Sequence, residues 1–269
     1  MRLSVRRLGM AACTLAAVLI TGCGSSSTST TSKTAASTTG SSTTSASTSP
    51  TTTIPSVAKI AAIAAEVPAS IAKKGTLTVA ADASYAPNEF IAPDGHTVEG
   101  MDVDLIDALA GVMGLKANVV NQTFDSIIPG LQAGKYDIGA SSFTDTKARE
   151  KTVDFVTYFS AGTSFYTKTQ GGTSVNTLAD LCGHTVAVEA GTTEQTDATG
   201  QKSKCTGTGK PTVTVLVFPN QNDVNLAVQS GRAQIGMADS PVARYAIKQT
   251  GGAFKLVGAQ YGTAPYGFA

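Results

Sequence analysis

Two stretches of the chain repeat one another. Leu131-Gln-Ala-Gly-Lys-Tyr-Asp-Ile-Gly-Ala-Ser-Ser142 can be laid over Val228-Gln-Ser-Gly-Arg-Ala-Gln-Ile-Gly-Met-Ala-Asp239 without a gap. Each reads as the end of a helix, a glycine cap, a basic residue and a buried strand that closes on polar side chains. A plan used twice requires two similarly built lobes, and the residues from Ser56 to Ala269 suffice for two lobes of about 100 each. Open α/β sheets bind their ligands just past the carboxyl ends of strands. Ser141, Ser142 and Asp239 are therefore site candidates by position, and two lobes facing each other across such edges imply a cleft.

The rest of the folded part alternates in the same way. Leu77 to Ala81 reads as a buried strand, while Leu105, Ile106, Leu109, Val112 and Met113 recur at helical spacing and stop at Gly114, a C-cap. A strand at Ala117 to Asn121, a helix over Asp125 to Ala133 and a strand over Tyr136 to Ala140 follow, the order of an α/β fold. After Lys168 the order restarts. A short helix is expected around Val175 to Leu181, strands at Thr185 to Glu189 and Thr212 to Phe218, and a helix over Asp223 to Ser230. A strand over Gln234 to Ala238 then meets a helix over Pro241 to Gln249, with Ser240 as N-cap.

Ahead of the lobes lie two segments of another kind. Arg2, Arg6 and Arg7 precede an apolar run from Leu8 to Ile20, too short to span a bilayer comfortably; residues 1–22 read as a secretory signal peptide. The run ends Leu19-Ile20-Thr21-Gly22-Cys23, which resembles a bacterial lipobox. Cys23 is thus the expected lipidation site, and paired acyl chains on it would tie the chain stably to the membrane. From Gly24 to Pro55, 11 Ser and 12 Thr leave too little apolar surface to offset the entropy of ordering. Residues 23–55 therefore read as a lipid-bearing tether, about 30 Å in reach by flexible-chain scaling. The same stretch explains why charged residues are only 14% of the chain, against roughly 25% in globular proteins.

An exported chain works in an oxidising compartment. With Cys13 removed with the signal and Cys23 lipidated, Cys182 and Cys205 remain as an even pair, read as a disulfide, with two buried free thiols as the alternative. Closing that loop would stabilise the fold by roughly 3 kcal/mol on chain-entropy grounds. The balance of 20 Lys and Arg against 19 Asp and Glu, net +1, argues against nucleic acid as a partner. Two histidines, without Cys-x-x-Cys or His-x-x-x-His spacing, leave little from which to build a metal site, and no cofactor is expected.

Five motifs recur in a telling order: Ala81-Asp82-Ala83-Ser84-Tyr85-Ala86-Pro87, Gly100-Met101-Asp102-Val103-Asp104-Leu105, Ser141-Ser142-Phe143-Thr144-Asp145-Thr146-Lys147-Ala148-Arg149, Gly191-Thr192-Thr193 and Ala238-Asp239. On these, from about Gly75 to the last residue, the chain resembles the extracellular solute-binding proteins of polar amino-acid ABC importers. The resemblance implies a two-lobed, type II periplasmic-binding-protein-like fold with two crossover segments. Its first lobe would span residues 56–161 and its second 162–266, with a return crossover starting at 267–269. Relatives continue past that point, so the C-terminal part of the first lobe is expected to be missing, with apolar surface exposed there. A monomer is expected.

An amino acid carries a carboxylate, an ammonium and a side chain, and a buried site has to satisfy each. Arg149 offers a planar fork, follows Thr146 as an expected N-cap, and matches the arginine that clamps the ligand carboxylate in the family; the alternative is a surface arginine paired with Asp145 or Glu150. Gly191, Thr192 and Thr193 form either a second anion cradle at a strand-to-helix turn or a plain turn. Asp239 either takes the ammonium or decorates a helix start. Ser141, Ser142 and Thr144 either bond the same head group or bond locally. Asp82 resembles a family position that faces the ligand's side chain, while Tyr85 and Phe124 are apolar walls or simply core.

Glu189 stands where the family varies. With Asp82 and Glu194 it makes the side-chain end acidic, unless either glutamate points to solvent. The expected ligand is a small polar or basic amino acid such as arginine, lysine, histidine or glutamine. The resemblance implies lobe closure on it, no bond broken, and docking on an ABC permease, so the chain is not expected to be an enzyme. The alternative is an enzyme of this fold, such as a cyclohexadienyl dehydratase, with Glu189 or Glu194 as the added acid or base.

Overall fold

The computed structural model describes residues 57–269. The expected signal peptide, the lipidation site Cys23 and the Ser/Thr-rich tether lie outside the described residues.

Two short helices, α1 (Ala61–Ala65) and α2 (Ala69–Lys74), lead into β1 (Thr76–Ala81). A small antiparallel sheet follows, made of β2 (Ser84–Tyr85), β3 (Glu89–Ile91) and β4 (Val98–Glu99). Then come α3 (Met101–Met113), β5 (Lys116–Asn121), α4 (Phe124–Gln132), β6 (Ile138–Gly139) and β7 (Phe143–Thr144). The first lobe is built on β5, β1 and β6, parallel and in that order. As the spacing predicts, α3 stops at Gly114, whose left-handed φ of 73° lets its N–H return to the carbonyls of Ala110 and Gly111.

The second lobe uses β8 (Val156–Lys168), β9 (Thr185–Glu189), α5 (Thr193–Gly207), β10 (Thr214–Phe218), α6 (Gln221–Gln229), β11 (Ile235–Asp239), α7 (Ser240–Gln249) and β12 (Phe254–Phe268). Its sheet runs β10-β9-β11-β8-β12-β7, parallel in the first three strands and antiparallel thereafter. The crossovers are β8 and β12. They pair from Phe254 opposite Lys168 to Phe268 opposite Val156, with register shifts near Tyr261 and Tyr266. β12 also meets β7, and Ala269 exchanges backbone bonds of 2.9 and 2.8 Å with Gly139 of β6, so this ribbon ties the two lobes together. β8 runs unbroken through positions 161 and 162.

Side chains alternate across each sheet, so every strand feeds two apolar layers. In the first lobe Leu77 and Val79 pack with Ile106, Ala110 and Phe268, while Ala80 faces Ile127 and Phe143 on the other side. In the second, Phe165, Val186 and Val188 pack with Leu181, Ile235 and Met237, and Tyr166 and Ala187 turn to Val224, Val242 and Phe254. Cys182 and Cys205 form the expected disulfide, with Cα atoms 5.6 Å apart, tying α5 to the segment before β9. Val156 is 70% and Phe159 42% exposed at the start of β8.

Four local expectations change. The helix expected over Val175 to Leu181 shrinks to a 3-10 turn, Leu178–Leu181, because the Asp180 carboxylate accepts from the N–H groups of Asn176 and Thr177 and caps it there. The strand expected over Tyr136 to Ala140 pairs only at Ile138–Gly139. The N-cap of α7 is Asp239, not Ser240: Asp239 keeps extended angles (φ −59°, ψ 147°) and helical geometry begins one residue earlier than expected. Thr146 opens only a 3-10 turn, Arg149–Lys151, although its hydroxyl oxygen does accept from Arg149 N at 3.2 Å.

Candidate functional site

Strand ends from both lobes converge on one pocket, which here is closed down to room for about a single water molecule. The first lobe lines it with Asp82, Tyr85, Phe124, Ser141, Ser142, Thr144 and Arg149, the second with Glu189, Thr192, Thr193, Glu194 and Asp239. The sequence-derived set is thus brought together, with Gly191 alone outside the lining. Gly191 acts at the seam instead: its φ is 78°, and a Cβ there would stand 2.9 Å from the Asp125 backbone of the opposite lobe. Only glycine admits that approach.

One end of the cavity carries opposite charges. Arg149 extends over the rings of Phe124 and Phe143, at 5.2 and 5.5 Å from their centroids, and these rings stack on one another at 4.6 Å. Its guanidinium donates to Thr144 O (2.8 Å) within the lobe and to Gly191 O (3.0 Å) across the cleft. It pairs with neither Asp145 nor Glu150, the latter being held by Lys147 at 2.7 Å. Burial pulls Arg149 below its ordinary pKa, while Glu194, Asp239 and Tyr85 act the other way. Asp239 ends β11 but makes no side-chain cap bond to α7. It accepts instead from the Tyr85 hydroxyl at 3.1 Å, and its own N–H donates to that oxygen at 3.0 Å. Burial, with Glu194 next, pushes the Asp239 carboxyl up to about 8.

Tyr85 is therefore more than an apolar wall, since its hydroxyl bridges the lobes. A further bridge runs from Gln221 N to Ser84 Oγ, 2.9 Å. Glu194, 2% exposed, accepts from Thr163 Oγ1 (2.6 Å) and Thr193 Oγ1 (3.1 Å) and stands at this same charged end. Thr192 caps α5 by accepting from Gln195 N at 3.1 Å, which directs the first turn of that helix at the cavity. Tyr266 of β12, fully buried, also bears on Asp239. No sequence signal marks it, because it reaches the site through a non-local strand pairing.

The other end carries like charges. Asp82, just past β1, accepts from Ser84 N (3.0 Å) and Phe124 N (2.9 Å), so its oxygens hold the first lobe's own backbone. Facing it from the second lobe is Glu189, 2% exposed, whose Oε1 has no hydrogen-bond partner among the described residues. Burial, with the Asp82 charge next, raises Glu189 well above the usual carboxylate range. Burial raises Asp82 as well. The Ser141 and Ser142 hydroxyls bond within the first lobe: Ser141 Oγ accepts from Asp82 N at 2.9 Å, and both serines donate to acidic side chains beneath them. Among the described residues no cluster of His, Cys, Asp and Glu is arranged to hold a metal, and no helix is long and apolar enough to cross a membrane.

Comparison with known proteins places this geometry in context. The sequence profile of the bacterial extracellular solute-binding proteins, family 3, matches residues 77–240. The arginine-binding protein ArgT of Corynebacterium glutamicum is 38% identical over 208 residues, covering 77% of this chain and 68% of that protein. An arginine-bound mutant of ArgBP from T. maritima superposes with a TM-score of 0.68 at 30% identity, covering 74% of this chain and 89% of that one. An ancestral amino acid-binding protein, described as a precursor of cyclohexadienyl dehydratase, superposes with a TM-score of 0.63 at 36% identity, covering 74% and 83%.

Proposed function

For a chain that belongs to the bacterial extracellular solute-binding proteins, family 3, the type of polar amino-acid ABC importers, we propose capture of a free amino acid with a cationic side chain, arginine foremost. The ligand's carboxylate meets Arg149 and the first turn of α5, its ammonium meets Asp239, and its side chain runs toward Asp82 and Glu189. Contacts from both lobes make the closed form the one the ligand favours, so binding shifts the lobes toward closure. The closed chain then docks on an ABC permease, and lipidated Cys23 keeps it at the membrane near that partner. The single observation that carries this reading is Glu189: a buried carboxyl with an unpartnered oxygen, opposite a second acid, is an unsatisfied demand for a cation. The two arginine-binding relatives support the same choice.

Calorimetric titration with the common amino acids tests it. L-arginine is expected to bind most tightly and to release a proton, because a guanidinium beside Glu189 draws its carboxyl back toward the ordinary range; the measured heat then varies with the ionisation enthalpy of the buffer. Preference for glutamate or aspartate overturns the reading, and so does failure to bind any amino acid. The enzymatic alternative draws on the ancestral dehydratase precursor and on Glu189, since a carboxyl that keeps its proton is suited to general-acid work. Turnover of a cyclohexadienyl acid by the purified chain would favour it.

A further inference from the structure

A second polar cluster lies beneath the first-lobe rim of the cavity. Glu89 of β3 and Asp102 of α3 are both wholly buried. Glu89 Oε1 accepts from the Ser141 hydroxyl at 2.9 Å. Asp102 Oδ2 accepts from Ser142 N at 2.7 Å, from the Ser142 hydroxyl at 3.1 Å and from the Tyr158 hydroxyl at 2.7 Å, while its Oδ1 has no partner. Asn88 Nδ2 donates to Ser142 Oγ at 2.9 Å. These bonds converge on a strained piece of backbone: Ser142 has a φ of 47°, the one non-glycine residue with positive φ among the described residues. A side-chain-bearing residue stays in that region only where its surroundings over-determine it.

We propose that Glu89 and Asp102 act together as positioning residues, holding Ser141 and Ser142 from below in the geometry in which a bound amino acid meets the first lobe. The inference rests on the reading of the cavity as an amino-acid site. Neither acid lines the cavity, so neither acts on the ligand directly. Both carboxylates approach the Ser142 hydroxyl, Asp102 Oδ2 at 3.1 Å and Glu89 Oε2 at 3.4 Å, and two acids buried side by side do not both stay ionised. Burial, with the Asp102 charge next, raises Glu89 well above the usual range, and burial raises Asp102 as well. A proton held by the pair would supply the donor that Asp102 Oδ1 lacks among the described residues. The groups bearing on the pair are Asp82 past β1, Tyr158 on β8 and Tyr266 on β12, none of them basic.

Calorimetry with L-arginine on the wild type, Glu89→Gln, Glu89→Ala and Tyr158→Phe, each checked by thermal melting, tests the pair. Glu89→Gln keeps a neutral donor and acceptor and should bind within about threefold of wild type, whereas Glu89→Ala should bind at least about tenfold more weakly while still melting cooperatively. The infrared difference spectrum between the wild type and Glu89→Gln should show the loss of one buried protonated carboxyl, over and above those of Glu189 and Asp239, a signature that mere space-filling would not produce. Should Glu89→Ala fail to fold, Tyr158→Phe decides instead: it removes one donor from Asp102 and should weaken binding about threefold. Wild-type affinity in a folded Glu89→Ala, or in Tyr158→Phe where that variant decides, overturns this inference alone. So does a Glu89→Gln as weak as Glu89→Ala, or a difference spectrum between the wild type and Glu89→Gln in which no protonated-carboxyl band is lost. A wild type that binds no amino acid overturns the amino-acid reading and this inference with it.

Discussion

The two ends of the cavity are built on opposite principles. At one end Arg149 and Asp239 bring opposite charges, and each already has a partner from the facing lobe, Gly191 O and the Tyr85 hydroxyl. At the other end Asp82 and Glu189 bring the same charge, and Glu189 keeps an oxygen that nothing among the described residues answers. On the amino-acid reading proposed above, the first arrangement would match what all free amino acids share and so favour affinity for the class. The second would discriminate among side chains, because a site with an unpaired buried acid penalises any ligand that cannot neutralise it.

Breaking the first end should have the largest effect. Asp239→Asn leaves the ligand's ammonium without a buried counter-charge and is expected to weaken L-arginine binding about 100-fold or more, measured by calorimetry, since truncating one partner of a buried charged pair costs about 2–5 kcal/mol. The ranking of arginine over glutamine should survive, because the far end is untouched. Glu189→Gln tests the converse. L-arginine is expected to lose about tenfold while glutamine holds or gains, so the preference collapses with the overall grip intact. An unchanged ratio would show that the acid pair does not choose the side chain.

The smallest expected effect is on the ligand-free protein. Asp239, raised from 3.8 to about 8, and Glu189, raised from 4.5, bind protons in the folded chain that the unfolded chain has already released. Folded-state stability from these groups is therefore full below their ordinary values and is lost as pH rises toward the raised ones. The melting temperature should fall by a few degrees, on the order of 2–8 °C, between about pH 5 and pH 8, and saturating arginine should flatten the slope. A slope that arginine leaves unaltered would separate the pH response from the acidic end.

Much of the fold was legible because its strands are apolar and its helices periodic. Thr185–Glu189 stands where the sequence places it, a continuous run typical of a strand covered on both faces. β8 and β12 were not legible as strands: β8 is rich in Ser and Thr, β12 is broken up by Gly and a Pro, and their pairing joins segments far apart in the chain. α5 was legible only at its start, since Thr193–Gly207 is almost wholly polar and is held by the Thr192 cap, the disulfide and packing against β9 and β10. The cavity-lining residues were within reach of sequence reasoning because they follow strand ends and recognisable motifs. Glu89 was not, since an acid in Pro87-Asn88-Glu89-Phe90 looks like a hairpin residue until α3 and β8 close over it.

The order of apolar strands, glycine caps and polar strand ends settles in advance that Arg149 and Asp239 come from facing lobes at the carboxyl ends of strands, because that placement follows from local patterning and from chain direction through a parallel sheet. Which acids are buried against one another, which oxygen is left unanswered among the described residues and which hydroxyl bridges the lobes were decided only by the tertiary structure. Those properties depend on burial and on distances between groups remote in sequence, such as Asp82 and Glu189 or Tyr85 and Asp239, and no local pattern encodes such a distance.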